Sequence, residues 1–129
     1  MKYYKRPHYK YTLSEDFTFG VPIYVECNIK DYVYLYSDGT LIIKKGYSWD
    51  GASFPAINTK TFVKSSLVHD CLFQLMREGK LSKEYKPIAD TMLREISIEQ
   101  GMCKIRAWYV YWAVRLFSDF ALKQTIIEI

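Results

Sequence analysis

Ser66-Leu-Val-His-Asp-Cys-Leu-Phe-Gln-Leu-Met76 (SLVHDCLFQLM) decides how the rest of the chain is read. Leu67, Val68, Cys71, Leu72, Leu75 and Met76 recur at the spacing that lines one face of an α-helix. The pattern predicts a helix from about Thr61 to Arg77, ended by Gly79. Within it stands His69, one of two histidines in the chain, directly before Asp70. One segment therefore carries both a core-facing stripe and the most chemically able pair of side chains.

Upstream the period changes. From Tyr9 to about Asp50, short runs rich in Tyr, Val and Ile are separated by turn residues, which is strand chemistry. The candidate strands are Tyr9–Leu13, Ile23–Ile29, Tyr32–Tyr36 and Thr40–Lys44. Ser37-Asp-Gly-Thr40 supplies a hairpin turn between the last two, with Gly39 taking the positive φ such turns require. Downstream, a second helix starts near residues 84–86 with Pro87 in its first turn, where a missing N–H costs nothing. It buries Ile88, Ala89, Met92, Leu93 and Ile96, and Gly101 closes it. A third helix, about Lys104 to Phe120, is apolar on nearly every side, so other elements enclose it or a partner covers it. The expected fold is α+β: a small antiparallel meander in the N-terminal half packed against three C-terminal helices, the third most buried.

The 129 residues are the size of one ordinary domain. Lys and Arg exceed Asp and Glu by 18 to 14, and the resulting formal charge of +4 is spread along the chain. Nucleic acid is therefore not an expected partner. The three cysteines, Cys27, Cys71 and Cys103, form no CxxC pair, and their odd number argues against a disulfide framework. A reducing cytoplasm fits that usage. The amino end, MKYYKRPHYK, is basic and lacks an apolar stretch behind it, so it reads as a solvated arm with one edge strand, and His8 lies in it. The longest apolar run, Ala107 to Phe117, is short of a membrane span and carries Arg115, so no membrane partner is expected.

Four side chains and a hydroxyl are candidates for chemistry. Neighbouring His69 and Asp70 on a helix facing a cleft would reach one divalent metal from adjacent directions, with Asp90 on the second helix and Asp50 in the loop Tyr47–Pro55 (YSWDGASFP) completing a mixed nitrogen and oxygen set. Zn or Mn would suit such a set, and water activation would be its chemistry. Ser53 as nucleophile with His69 as base is a second arrangement, although no GxSxG elbow surrounds it. Each has a structural counterpart. His69 at the margin of the apolar stripe, near Phe62 and Phe73, serves equally as a packed residue with one hydrogen bond; Asp70 falls on the polar side with Ser66, Gln74 and Arg77; Asp90 has Arg94 four residues on as an ion-pair partner. Cys71 lies within the apolar stripe, where thiols are inert.

The ordered blocks Tyr47–Pro55, Leu67–Phe73 (LVHDCLF), Ala89–Leu93 (ADTML) and Tyr111–Phe117 (YWAVRLF) resemble a family of small phage and prophage proteins of unknown function, over roughly residues 40 to 118. The resemblance implies a phage origin and a cytoplasmic life in the infected cell. It also implies that Asp50, His69, Asp70 and Asp90 converge. The expectation is a small hydrolase acting on a phosphoester, such as a nucleotide defence signal, or on an amide, with Ser53 positioning substrate. The alternative is a non-catalytic protein that binds a host factor, assembles into a virion, or pairs with a second copy through the third helix.

Overall fold

Strand chemistry in the first fifty residues becomes seven short strands, and the helical periods become three helices, in a computed structural model that describes residues 1–6, 10–50 and 60–127. The α+β arrangement is borne out, but the meander is two sheets. β1 (Tyr3–Arg6), β2 (Lys10–Leu13), β3 (Phe17–Gly20), β4 (Cys27–Ile29), β5 (Val33–Leu35), β6 (Thr40–Ile43) and β7 (Ser48–Asp50) pair antiparallel in the orders β1-β2-β7 and β3-β6-β5-β4. β3 and β7 go beyond the sequence expectation, and β1 is an edge strand within the basic arm. Ile23–Ile29 shortens to its last three residues, because Pro22 and the chain after it run outside any ladder, although Val21 and Ile23 are buried.

The turn at residues 44–47 is what divides the sheets. Leu13 N–H donates to the Tyr47 carbonyl at 2.9 Å, and Gly46 N–H to the Leu13 carbonyl at 2.9 Å, so the chain leaving β6 is carried across to β2. Asp16 braces the turn, accepting from Lys44 Nζ and the Lys45 N–H, each at 2.8 Å. The Lys44 hydrogen bond, and after it the Lys45 N–H, hold the exposed Asp16 carboxyl below its usual range. The β5–β6 hairpin forms where Asp38-Gly39 places it: Asp38 Oδ1 accepts from the Thr40 N–H at 2.9 Å, and Gly39 sits at φ +91°.

α1 (Lys60–Arg77) lies between the sheets and α2 (Lys86–Glu99), and α3 (Lys104–Ile127) packs on α2. The predicted stripe of α1 is buried in full, from Leu67 to Met76. Its other side is enclosed too: Ser65 shares a 2.7 Å hydrogen bond with Ser97 of α2, and Ser66 Oγ accepts from Trp49 Nε1 at 3.0 Å. Ser66 therefore does not join a solvated face, contrary to expectation. Trp49 in turn packs against Tyr11 and Tyr3, with ring centroids 5.4 and 6.3 Å away, which ties the three-stranded sheet to α1. The expectation that the third helix is most buried is corrected, since α1 takes that place. α3 contributes Ala107 and Val110 to a small separate cluster with Leu93 and Met102, while Ile105, Trp108, Tyr109, Trp112 and Leu116 are exposed. Over residues 104–116, where its side chains are described, an all-round apolar helix thus buries one side.

A Cβ added at Gly39 would meet the Val21 carbonyl oxygen at 2.5 Å, at a backbone angle that L side chains rarely adopt. Gly39→Ala is expected to cost about 1–3 kcal/mol, read as a lower urea midpoint with an unchanged slope.

Candidate functional site

Asp90 sits one turn into α2 and is 0 % exposed. A carboxylate removed from water this completely requires partners, because its desolvation costs several kcal/mol. Three nitrogen-bearing side chains from three helices supply them. His69 Nε2 of α1 lies 2.7 Å from Asp90 Oδ1, Lys86 Nζ lies 3.4 Å from Oδ2 one helical turn back on α2, and Arg115 of α3 places a guanidinium nitrogen 3.8 Å from the same oxygen. Lys86 also donates to the Arg115 carbonyl at 3.5 Å, so it links α2 and α3 through backbone as well as charge.

The imidazole is held from two directions. His69 is 8 % exposed, and its ring stacks on Phe73, one helical turn along α1, with centroids 4.2 Å apart. Facing a carboxylate oxygen, Nε2 is the donor, so in the neutral ring the lone pair stands on Nδ1. Among the described residues Nδ1 has no hydrogen-bond partner. An acid that orients an imidazole through one nitrogen and leaves the other as a base is the functional part of a catalytic dyad.

The five predicted residues are distributed unevenly. His69 and Asp90 are in contact. Asp70 is half-buried on the next position of α1, and its charge acts on the Tyr47 phenol and the Cys71 thiol. Asp50 ends β7 in register with Lys10, which places its backbone beside the sheet strand that Trp49 anchors to α1. Ser53 and His8 lie outside the described residues. The ion pair expected between Asp90 and Arg94 is replaced: Arg94 stacks over Tyr111 of α3 at 4.6 Å, and Asp90 turns to Lys86 instead. Lys86 and Arg115 are the members of the network that sequence reasoning missed. The signals were there, in the four-residue spacing of Lys86 and Asp90 and in a lone cation interrupting the apolar run of α3.

The donor set does not suit a divalent metal at the buried pair. Asp90 Oδ1 is committed to His69, and its other oxygen faces two cations that repel a third. No group of three His, Cys, Asp or Glu side chains among the described residues converges to hold an ion. A shallow hollow between the end of β3 and α2, lined by Phe19, Gly20, Met92 and Glu95, contains none of the predicted site residues.

Cys71 is fully buried, and burial pushes its thiol well above the ordinary value, which keeps it protonated and unreactive. Burial likewise raises the Tyr47 phenol, whose hydroxyl donates to Gln74 Oε1 at 2.8 Å. Cys27 and Cys103 are also free thiols. Among the described residues no helix is long and apolar enough to cross a membrane.

Removing Asp90 takes away the carboxylate that Lys86 and Arg115 face in the interior. Asp90→Ala is expected to destabilise by about 3–5 kcal/mol in chemical denaturation, and Arg94→Ala, on the partly exposed side of α2, by far less. The buried thiol and phenol set the alkaline limit. Below pH 9 their contribution to stability is complete; as pH rises past the ordinary values of 9.0 and 10.0 the unfolded chain ionises while the folded chain keeps its protons, so stability falls. Urea unfolding compared across that range should show the fall, and Tyr47→Phe should make it shallower.

With the geometry in place, comparison with known proteins adds the family. The model for a family described as a protein of unknown function (DUF1353) matches residues 28–114, about two thirds of the 129 residues. That span holds His69, Lys86 and Asp90, begins earlier than the resemblance over residues 40 to 118 implies, and stops one residue before Arg115. No curated protein and no solved structure matches the chain. The chain belongs to the DUF1353 family.

Proposed function

We propose that this DUF1353 member is a hydrolase in which His69, oriented by Asp90, is the general base. The single observation that carries the reading is the 2.7 Å contact between His69 Nε2 and the buried Asp90 Oδ1, with Nδ1 left unpartnered among the described residues. Nδ1 takes a proton from water as its oxygen attacks phosphorus, the ester P–O bond breaks, and the imidazolium returns the proton to the departing oxygen; with the Ser53 hydroxyl as first nucleophile, water then releases the phosphoserine in the same way. Asp90 holds the ring in the tautomer that puts the lone pair there and stabilises the imidazolium that forms.

A phosphoester is favoured over an amide as the bond cleaved. Lys86 and Arg115 place two positive charges against the one carboxylate of Asp90, and the surplus favours an anionic substrate and the charge that develops at a phosphorus centre. On this reading Asp70, next to His69 on α1, and Asp50, at the end of β7, serve to position substrate or water. In the phage setting that the sequence resemblance implies, a nucleotide defence signal is the matching substrate class, acting in the cytoplasm of the infected cell, where three free thiols remain reduced. The proposed base needs no Zn or Mn, so turnover persists in chelator.

A second reading, a non-catalytic protein that binds a host or virion component, is favoured by the exposed aromatic side of α3. On that reading the Asp90 network only fixes the helices.

The test is hydrolysis of bis(p-nitrophenyl) phosphate, cyclic dinucleotides and a peptide panel, each with and without chelator. Expected is phosphodiester turnover that survives chelation and falls about 100-fold or more in His69→Gln, while the melting temperature holds. Turnover indifferent to His69→Gln, or no turnover of any substrate by folded wild-type protein, overturns the hydrolase reading.

A further inference from the structure

We infer that the exposed side of α3 is the interface through which two copies of this chain pair, antiparallel, independently of the chemistry at His69. Ile105, Tyr109, Trp112 and Leu116 follow one another at intervals of four, three and four residues, with Trp108 alongside. That alternation is the spacing by which a helix presents a seam to another helix. At about 100° per residue, this stripe is centred nearly opposite Ala107, Val110 and Val114, the residues that pack against α2. Over residues 104–116, whose side chains are described, α3 therefore has two apolar faces, and one of them packs within the chain.

The unused face is large. Ile105 is 82 % exposed, Leu116 70 %, Trp108 60 %, Tyr109 58 % and Trp112 49 %. With a buried aromatic side chain removing about 150–250 Å² from water, covering the stripe buries on the order of 700 Å² per copy, close to the roughly 800 Å² per partner of a stable interface. A two-fold axis needs a self-complementary patch, and a single stripe that meets its own copy supplies one.

Charge sets the direction. Lys104 and Arg106 occupy the first turn of α3, no acid stands there and no basic residue stands in the last turn. Cations at a helix N-terminus oppose the positive end of its dipole, so two basic first turns set side by side add mutual repulsion to that cost. An antiparallel mate keeps the two basic first turns apart, each beside residues 115–117 of the other helix. Arg115 is turned toward Asp90 and does not stand against them. In this register Ile105 of each copy faces Leu116 of its mate, and Tyr109 faces Trp112. A parallel pair would instead place both basic first turns together.

Sedimentation equilibrium of the full chain tests the inference. Wild-type protein is expected at twice the chain mass, and Trp112→Glu and Ile105→Glu, at exposed positions that leave the inner face of α3 untouched, as folded monomers with unchanged helical circular dichroism. If one variant fails to fold, the other decides. Ile105→Cys with Leu116→Cys, in a Cys103→Ser background, is expected to form a covalent dimer on oxidation. Wild-type protein that is monomeric at tens of micromolar, or a dimer that persists in both Glu variants, overturns the proposal. So does a monomer that co-sediments with vesicles of anionic phospholipid and loses that binding in Trp112→Glu, which would assign the face to a lipid surface.

Discussion

The structure depends on one carboxylate that has no water. Asp90 is fully enclosed, and the need to satisfy it gathers a side chain from each of the three helices: His69 from α1, Lys86 from α2 itself and Arg115 from α3. Apolar contacts are tolerant of small shifts, but a buried charge is not, because each misplaced partner leaves an uncompensated desolvation cost. The helices are thereby held in one relative arrangement as well as packed. Lys86 reinforces this through the Arg115 carbonyl, joining α3 to the centre at a point beyond the small cluster around Leu93 and Val110.

The sheets reach the same centre through an aromatic residue. Trp49, in β7, is buried against Tyr11 and donates to Ser66, three residues before His69 on α1. β7 ends in Asp50, so the strand that carries the first predicted acid is fixed to the helix that carries the imidazole. A packed network and a catalytic dyad share the same first requirement, an imidazole held in one orientation. What distinguishes the chemistry is the nitrogen that the carboxylate leaves over.

α3 shows how composition and position diverge. Its apolar residues cover the whole circumference, which on a helical wheel reads as a core element. In the fold it lies outermost, since α1 occupies the place between the sheets and α2. Its inner face meets α2 through small side chains, Ala107 and Val110, while Trp108, Tyr109 and Trp112 point the other way and Tyr111 lies under Arg94 of α2. Small residues permit close approach of two helices, and rings supply the area for a further contact.

Local periodicity determined α1 and α2 to within a residue or two, the start of α3 though not its end, which lies at Ile127 rather than near Phe120, the buried stripe of α1, and the hairpin at Asp38-Gly39, because each depends on backbone preferences and spacing along the chain itself. It did not determine that the strands divide into two sheets, since strand partners are set by turns such as Lys44–Tyr47 acting across dozens of residues. It pointed to His69 and Asp90 as candidates but assigned Asp90 to Arg94, because helical spacing offers neighbours on both sides and cannot rank them. Tertiary structure made that choice: once α1 and α3 close over α2, the carboxylate loses water on every side and takes the donors that converge there, His69, Lys86 and Arg115.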